Sequence, residues 1–235
     1  MKCSHALAFA IMATGCATTA TKPAPDIEPS PDLTVALMVR LEAKPEHAET
    51  VAQLLRDGQA FVRDEPGTPY WFAVRLGDHS FGIFDAFASD AERTAHLQGK
   101  LAAALVANAP DLLAVAPAIQ PVEVIGSKDA FVGPCRQLGV GLMVRIDAKP
   151  EHAAEVERLL DAGPALVADE PGTPVWFGVK IDDDSYAIFD AFKTTTERQA
   201  HLEGKLAQTL VAKAPELLSA PPVIEPADIL ATKLP

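Results

Sequence analysis

The sequence predicts an α+β protein built from two ferredoxin-like βαββαβ units packed sheet to sheet, and three observations carry that expectation. Sliding the chain against itself by 105 residues aligns Thr34–Lys128 with Gly139–Lys233 without a gap, and more than half the positions are identical. That offset is far longer than a solenoid period, so each copy is a small domain in itself. Within each copy, stretches of period two and period 3.6 follow one another in the order β-α-β-β-α-β, which is the split-βαβ arrangement with both helices on one face of a four-stranded sheet. The face left uncovered is apolar, and two copies facing each other would bury it.

The elements follow in order. "TVALMVRLEA" alternates, with Val35, Leu37, Val39 and Leu41 on one side, and reads as a strand. "PEHAETVAQLLRDGQAFVRDE" places Ala48, Val51, Leu54, Leu55, Phe61 and Val62 at helical spacing, with Pro45 at its start. "PYWFAVRLG" and "SFGIFDAFA" are two strands joined by a tight turn at Gly77 and Asp78. "SDAERTAHLQGKLAAALVANA" opens on Ser89 as N-cap, with Glu92 three residues on, and reads as one second helix. After Pro110 and a short connection, "IQPVEVIGS" is the last strand. In "DEPGTP", Pro66 ends the first helix at Glu65, and Gly67 is expected at a positive φ.

The segments outside the repeat have other jobs. Residues 1–16 carry Lys2, an apolar run from Ala6 to Ala13, and then "ATGC". The run has the length of a signal-peptide core and is too short for a spanning helix. "ATGC" resembles the lipobox of bacterial lipoproteins, in which Cys16 would be acylated; Ala13 stands where Leu is usual. The alternative is a plain export signal. Residues 17–33 are rich in Thr, Pro and Ala and read as a tether. Residues 34–128 and 139–235 are the two domains, and 129–138 connect them. With Cys3 removed and Cys16 lipidated, Cys135 stands alone and the mature chain has no intrachain disulfide. The expected location is the periplasm, anchored by lipid; Ala17 after the Cys favours the outer membrane.

A net charge of −12 leaves no basic stripe for phosphates, which excludes nucleic acid as a partner. There is no CxxC, HExxH or GxSxG, and "GVG" at Gly139–Gly141 precedes a strand instead of following one, so no metal, nucleophile-elbow or dinucleotide site is visible.

The runs "EPGTPYWFAVRLGDHSFGIFDAFASDAERTAHL" (Glu65 to Leu97) and "EPGTPVWFGVKIDDDSYAIFDAFKTTTERQAHL" (Glu170 to Leu202) resemble the antibiotic biosynthesis monooxygenase family. The shared features are the Glu-Pro-Gly turn, the aromatic strand, the acidic residue in the next strand and Ala-His-Leu on the second helix. The resemblance implies a dimeric α/β barrel, built here by one chain as a pseudo-dimer, with further oligomerisation left open. It also implies oxygenation without a cofactor, the electron-rich substrate reducing O2 itself.

If the strand side with unbroken apolar residues meets the helices, the other side carries Met38, Arg40, Trp71, Ala73 and Arg75, and in the second copy Met143, Arg145, Trp176, Gly178 and Lys180. Such a lining suits a planar, anionic aromatic ligand; the competing reading makes the Trp residues plugs between the sheets. Asp85 and Asp190 sit in otherwise apolar strands, either orienting a catalytic group or pairing with an Arg. His96 and His201 can take a phenolic proton or face solvent or the other copy; His47 and His152, at helix starts, read as exposed. The leading expectation is therefore a quinol or polycyclic phenol stacked on Trp71 and Trp176, held through its oxyanion by Arg40 and Arg145, and deprotonated by His96 or His201 with Asp85 or Asp190 behind. Its rivals are a non-catalytic periplasmic carrier using the same cavity and a haem-handling barrel. The latter is disfavoured because "ALMVRL" offers no Asn.

Overall fold

A computed structural model describes residues 32–131 and 136–235. Cys16, the expected export signal, nearly all of the tether and Cys135 lie outside the described residues. The first copy contains β1 (Val35–Glu42), α1 (Ala48–Arg63), β2 (Tyr70–Arg75), β3 (Ser80–Phe87), α2 (Asp90–Leu97), α3 (Lys100–Leu112) and β4 (Ala118–Asp129). The second contains β5 (Val140–Asp147), α4 (Ala153–Asp161), α5 (Gly163–Leu166), β6 (Val175–Lys180), β7 (Ser185–Phe192), α6 (Thr195–Leu202), α7 (Lys205–Leu217) and β8 (Val223–Lys233).

Two helices depart from the sequence reading. The expected second helix is two, broken at Gly99, whose extended backbone (φ −75°, ψ 172°) starts α3. Pro110, expected beyond the helix, lies inside α3 two residues from its end. Ser89 does cap α2, accepting from the Glu92 amide, and Thr194 and Glu197 make a complete capping box on α6. In the second copy the first helix is also cut, because Pro164 replaces Gln59 of the first and cannot continue the hydrogen-bond ladder; it starts α5 instead. Phe61, placed on the apolar face by spacing, is exposed, while Ala52 and Gly58 are buried there.

All eight strands close into one antiparallel barrel in the order β1-β3-β2-β8-β5-β7-β6-β4. The long last strand of each copy does the closing. The first half of β4 pairs with β1 and its second half with β6 of the other copy, while β8 pairs with β5 and then with β2. Neither copy therefore has a free sheet edge. Because neighbours alternate in direction around a ring of eight, β1 and β5, four places apart, run the same way. Their C-terminal ends share one mouth of the barrel.

The helices cover the outside of the barrel. The interior is filled by Phe72, Phe84, Phe177 and Phe189; Phe84 and Phe189 stack at 4.5 Å with their planes 9° apart across the pseudo-twofold axis. The middle of the barrel is thus a packed aromatic core.

The candidate functional site

The sequence reading put Trp71 and Trp176 in the barrel, and the strand register corrects this. Trp71 is opposite Asp85 and Phe72 opposite Phe84 in the β2–β3 ladder, while Leu37 faces Asp85 and Met38 faces Phe84 in the β1–β3 ladder. Cross-strand partners share a sheet face. Leu37, Asp85 and Trp71 therefore lie under the helices, and Met38, Phe84 and Phe72 point inward. Trp71 packs in the core with Val51, Leu55 and Leu101, and Trp176 packs with Val156 and Leu160. The indoles occupy space left by Gly58 and Gly163; a Cβ on Gly163 would lie 2.3 Å from the Trp176 ring. Both indole N–H groups are buried with no hydrogen-bond partner among the described residues.

The other four residues expected to bind substrate do converge. Met38 and Arg40 from β1 and Met143 and Arg145 from β5 line a cavity of about 230 Å³ at the shared barrel mouth, with Ile181 at its wall and Gln120 and Glu225 at its rim. Gly82 makes room there, since a Cβ on it would stand 3.0 Å from Met143 Sδ. Arg40 Nη1 donates across the mouth to both carboxylate oxygens of Glu225, at 2.8 and 2.6 Å, and Arg40 Nε donates to Glu42 at 2.9 Å. The Glu225 hydrogen bond holds the Arg40 guanidinium above its ordinary pKa, against the effect of burial. Arg145 donates from Nε to Asp147 at 2.9 Å and from Nη2 to Ser185 Oγ at 2.9 Å.

His96 and His201 come together with Asp85 and Asp190, on the helix side of the sheet and away from this mouth. In the first copy His96 Nδ1 is 2.6 Å from Glu65 Oε2 and Nε2 is 3.2 Å from Asp85 Oδ2; in the second the distances are 2.7 Å to Glu170 and 3.0 Å to Asp190. The His side chains are 6% exposed and the Asp side chains 1%. Burial works against a charge on His96, but Asp85 and then Glu65 outweigh it and hold its pKa up at about 9. His201 behaves alike, to about 9, through Asp190 and Glu170. Burial pushes Asp85 and Asp190 upward, opposed by the imidazolium beside each. Each cluster sets an imidazole between two carboxyl groups. At neutral pH it holds its proton, so neither His is poised as a base, and with both ring nitrogens engaged neither is placed as a metal ligand. His47 and His152 are half-buried at the short turns before α1 and α4.

Glu65, Glu170, Thr68 and Thr173 are the members that sequence reasoning missed. Thr68 Oγ1 donates to Glu65 at 2.9 Å and Thr173 Oγ1 to Glu170 at 2.8 Å, which aims each carboxylate at its His. The repeated phrase "DEPGTP" was the available signal: two of its identical residues are polar groups aimed inward. Gly67 has no positive φ; what forbids a larger residue is Glu92, whose Cγ would lie 2.9 Å from a Cβ. Gly99 and Gly204 serve the same cluster, because a Cβ there would meet Glu65 Oε1 at 2.5 Å and Glu170 Oε1 at 2.2 Å. Each turn is also tied to the other copy. Lys233 Nζ donates to the carbonyls of Val62 and Glu65, and Lys128 Nζ to those of Val167 and Glu170. Carbonyls at a helix C-terminus carry partial negative charge, so a cation there is favoured. The phrase is therefore a joint, both within each copy and between the two.

Comparison with known proteins agrees with this architecture. Residues 34–108 match the family model described as Antibiotic biosynthesis monooxygenase. No curated protein matches the chain. Among solved structures, a putative monooxygenase from Fusobacterium nucleatum superposes with a TM-score of 0.74 at 15% identity, covering 86% of this chain and 94% of its own. A putative monooxygenase from Lactobacillus acidophilus gives 0.71 at 9% identity, covering 86% and 97%. An anthrone oxidase-like protein gives 0.57 at 12%, covering 86% and 93%. At these identities the likeness is one of fold.

Proposed function

The chain belongs, through residues 34–108, to the antibiotic biosynthesis monooxygenase family, and from that premise we propose that it oxygenates a small phenol or quinol bound as its anion at the Met38, Met143 mouth of the barrel. The observation that carries this reading is an apolar cavity rimmed by Arg40 and Arg145. A phenol entering there leaves water for Met and Ile side chains while its oxygen stays beside a cation, which favours the phenolate. The phenolate is the reductant. In the balanced reaction a ring C–H and the phenolic O–H are oxidised by O2; one oxygen atom becomes the second carbonyl of a quinone, and the other leaves as water with both hydrogens. At about 230 Å³ the cavity falls below the roughly 300–1,000 Å³ of sites for larger ligands, so one- and two-ring substrates fit this reading best. Trp71, Trp176, His96 and His201 hold the barrel's shape in it and touch no substrate.

Aerobic incubation with a panel of one- and two-ring phenols and quinols tests the reading. Expected are O2 uptake that survives chelation and one atom from ¹⁸O-labelled O2 in the product. Saturable binding without O2 uptake would instead support a carrier, a reading favoured by one feature: among the described residues, Glu225 is the only carboxylate lining the cavity, and Arg40 already engages it.

Export and anchoring rest on "ATGC" and the tether after it. In this proposal Cys16 is acylated and holds the barrel at the outer membrane, facing the periplasm. Cys16→Ala should then move the protein from the membrane fraction to the soluble periplasm, and unchanged fractionation would leave only a plain export signal.

A further inference from the structure

Resting on that reading of the mouth as an anion site, we propose that the site is one-sided: Arg145 holds the substrate's anion, and Glu225 silences the equivalent Arg40 by occupying it. The repeat makes the asymmetry visible. Offset by 105 residues, Arg40 corresponds to Arg145, Glu42 to Asp147 and Ser80 to Ser185, but Glu225 corresponds to Gln120. Arg40 is thus held by two carboxylates, one of them bidentate across the mouth at 2.6 and 2.8 Å. Arg145 has one carboxylate, Asp147, and one hydroxyl, Ser185; across the mouth from it stands neutral Gln120, whose amide donates to the Pro121 carbonyl instead.

Five N–H groups make up a guanidinium. On Arg145, two are engaged, and the rest have no protein acceptor among the described residues. Asp182 adds a weaker, unbonded field. Access does not distinguish the two arginines, whose side chains are 39% and 46% exposed. What distinguishes them is pairing.

The consequence is a polarity for the ligand. A monoanion lies with its oxyanion toward Arg145, and the end toward Glu225 is neutral or a hydrogen-bond donor, because a second negative charge there would face a carboxylate. This selects quinol monoanions over dianions and one bound molecule over two.

Two readouts test the proposal. The first is titration with 2-hydroxy-1,4-naphthoquinone, an anion at neutral pH whose absorbance reports binding. Arg145→Gln and Gln120→Glu should each weaken its Kd about tenfold or more, the scale of one charge-assisted hydrogen bond. Glu225→Gln, which frees Arg40, should tighten binding. The second readout needs no ligand: modification by phenylglyoxal, mapped by mass spectrometry, should reach Arg145 before Arg40 in the wild type and both at similar rates in Glu225→Gln. Equal rates in the wild type, or binding that ignores Gln120→Glu, overturns the one-sided site while the proposed function stands. Arg145-first labelling with no binding of the naphthoquinone or of any phenol in the panel sinks the proposed function and leaves the pairing asymmetry intact, with no anion bound to it; that result also overturns the ligand assignment made here.

Discussion

Replacing His96 with Gln should destabilise the protein by about 3–5 kcal/mol, the range seen when one partner of a buried ion pair is removed. Asp85, 1% exposed, would be left in the sheet without its imidazole partner, and one of its oxygens already has no hydrogen-bond partner among the described residues. Two controls separate charge from packing. Asp85→Asn combined with His96→Gln removes both charges and should recover part of the loss, a coupling that a double-mutant cycle reads directly. The second control is pH. The folded pKa of His96, about 9, lies above the unfolded value of about 6.5. Its stabilising contribution is therefore fully present below about pH 6.5 and is lost as pH rises through 9. For His96 taken alone that shift corresponds to about 3 kcal/mol, and the upward shift that burial imposes on Asp85 opposes it. Denaturation midpoints of wild type and His96→Gln should converge between pH 6.5 and 10. A difference that stays constant across that range would mean the His contributes packing and not charge. His201→Gln should behave the same way, since its cluster repeats the distances within 0.2 Å.

Trp71→Ala should cost about 3–5 kcal/mol as well, by a different mechanism. The indole is fully buried between β2 and the pair α1 and α3, and its removal leaves a cavity that Leu55 and Leu101 cannot close. Trp71→Phe, which keeps an aromatic body and deletes an N–H that has no partner among the described residues, should cost about 1 kcal/mol. Neither substitution touches the mouth, so the folded fraction of both should bind the naphthoquinone with wild-type affinity. A large loss of affinity in stable Trp71→Phe would return the indole to the ligand site and contradict the register that places it under the helices.

These two results bear on what the arrangement of the repeat means. The Glu-His-Asp cluster and the buried Trp are present in both copies in the same geometry, as expected of parts that each copy needs in order to fold. The mouth differs between copies at Gln120 and Glu225, and the opposite end differs at Tyr70 and Val175, where only Tyr70 has a hydroxyl to bond Asp129. The differences named here lie at the openings of the barrel, whereas the joint "DEPGTP" and the lysines that bind it, Lys128 and Lys233, are the same in both copies.

The sequence by itself determined the repeat, the order of elements in each copy and the need for the two sheets to face each other. These follow from local periodicity and from the solubility penalty of a bare apolar face, both of which are properties of a linear string. It also pointed to Met38, Arg40, Met143 and Arg145 together, because β1 and β5 have a polar residue breaking one face and so reveal which side is which. Tertiary structure alone decided the orientation of β2. "YWFAVR" is apolar on both faces and buried on both, and without a polar residue to mark one side, alternation carries no register. Pairing with β3 settled it, setting Trp71 beside Asp85 and under the helices. The same holds for the Glu65 cluster, which joins residues 20 and 31 positions apart through a turn, a strand and a helix, and for Glu225, which reaches Arg40 across 185 residues. No spacing rule spans such separations, because the distance between these groups is set by how the barrel closes and not by how the chain is written.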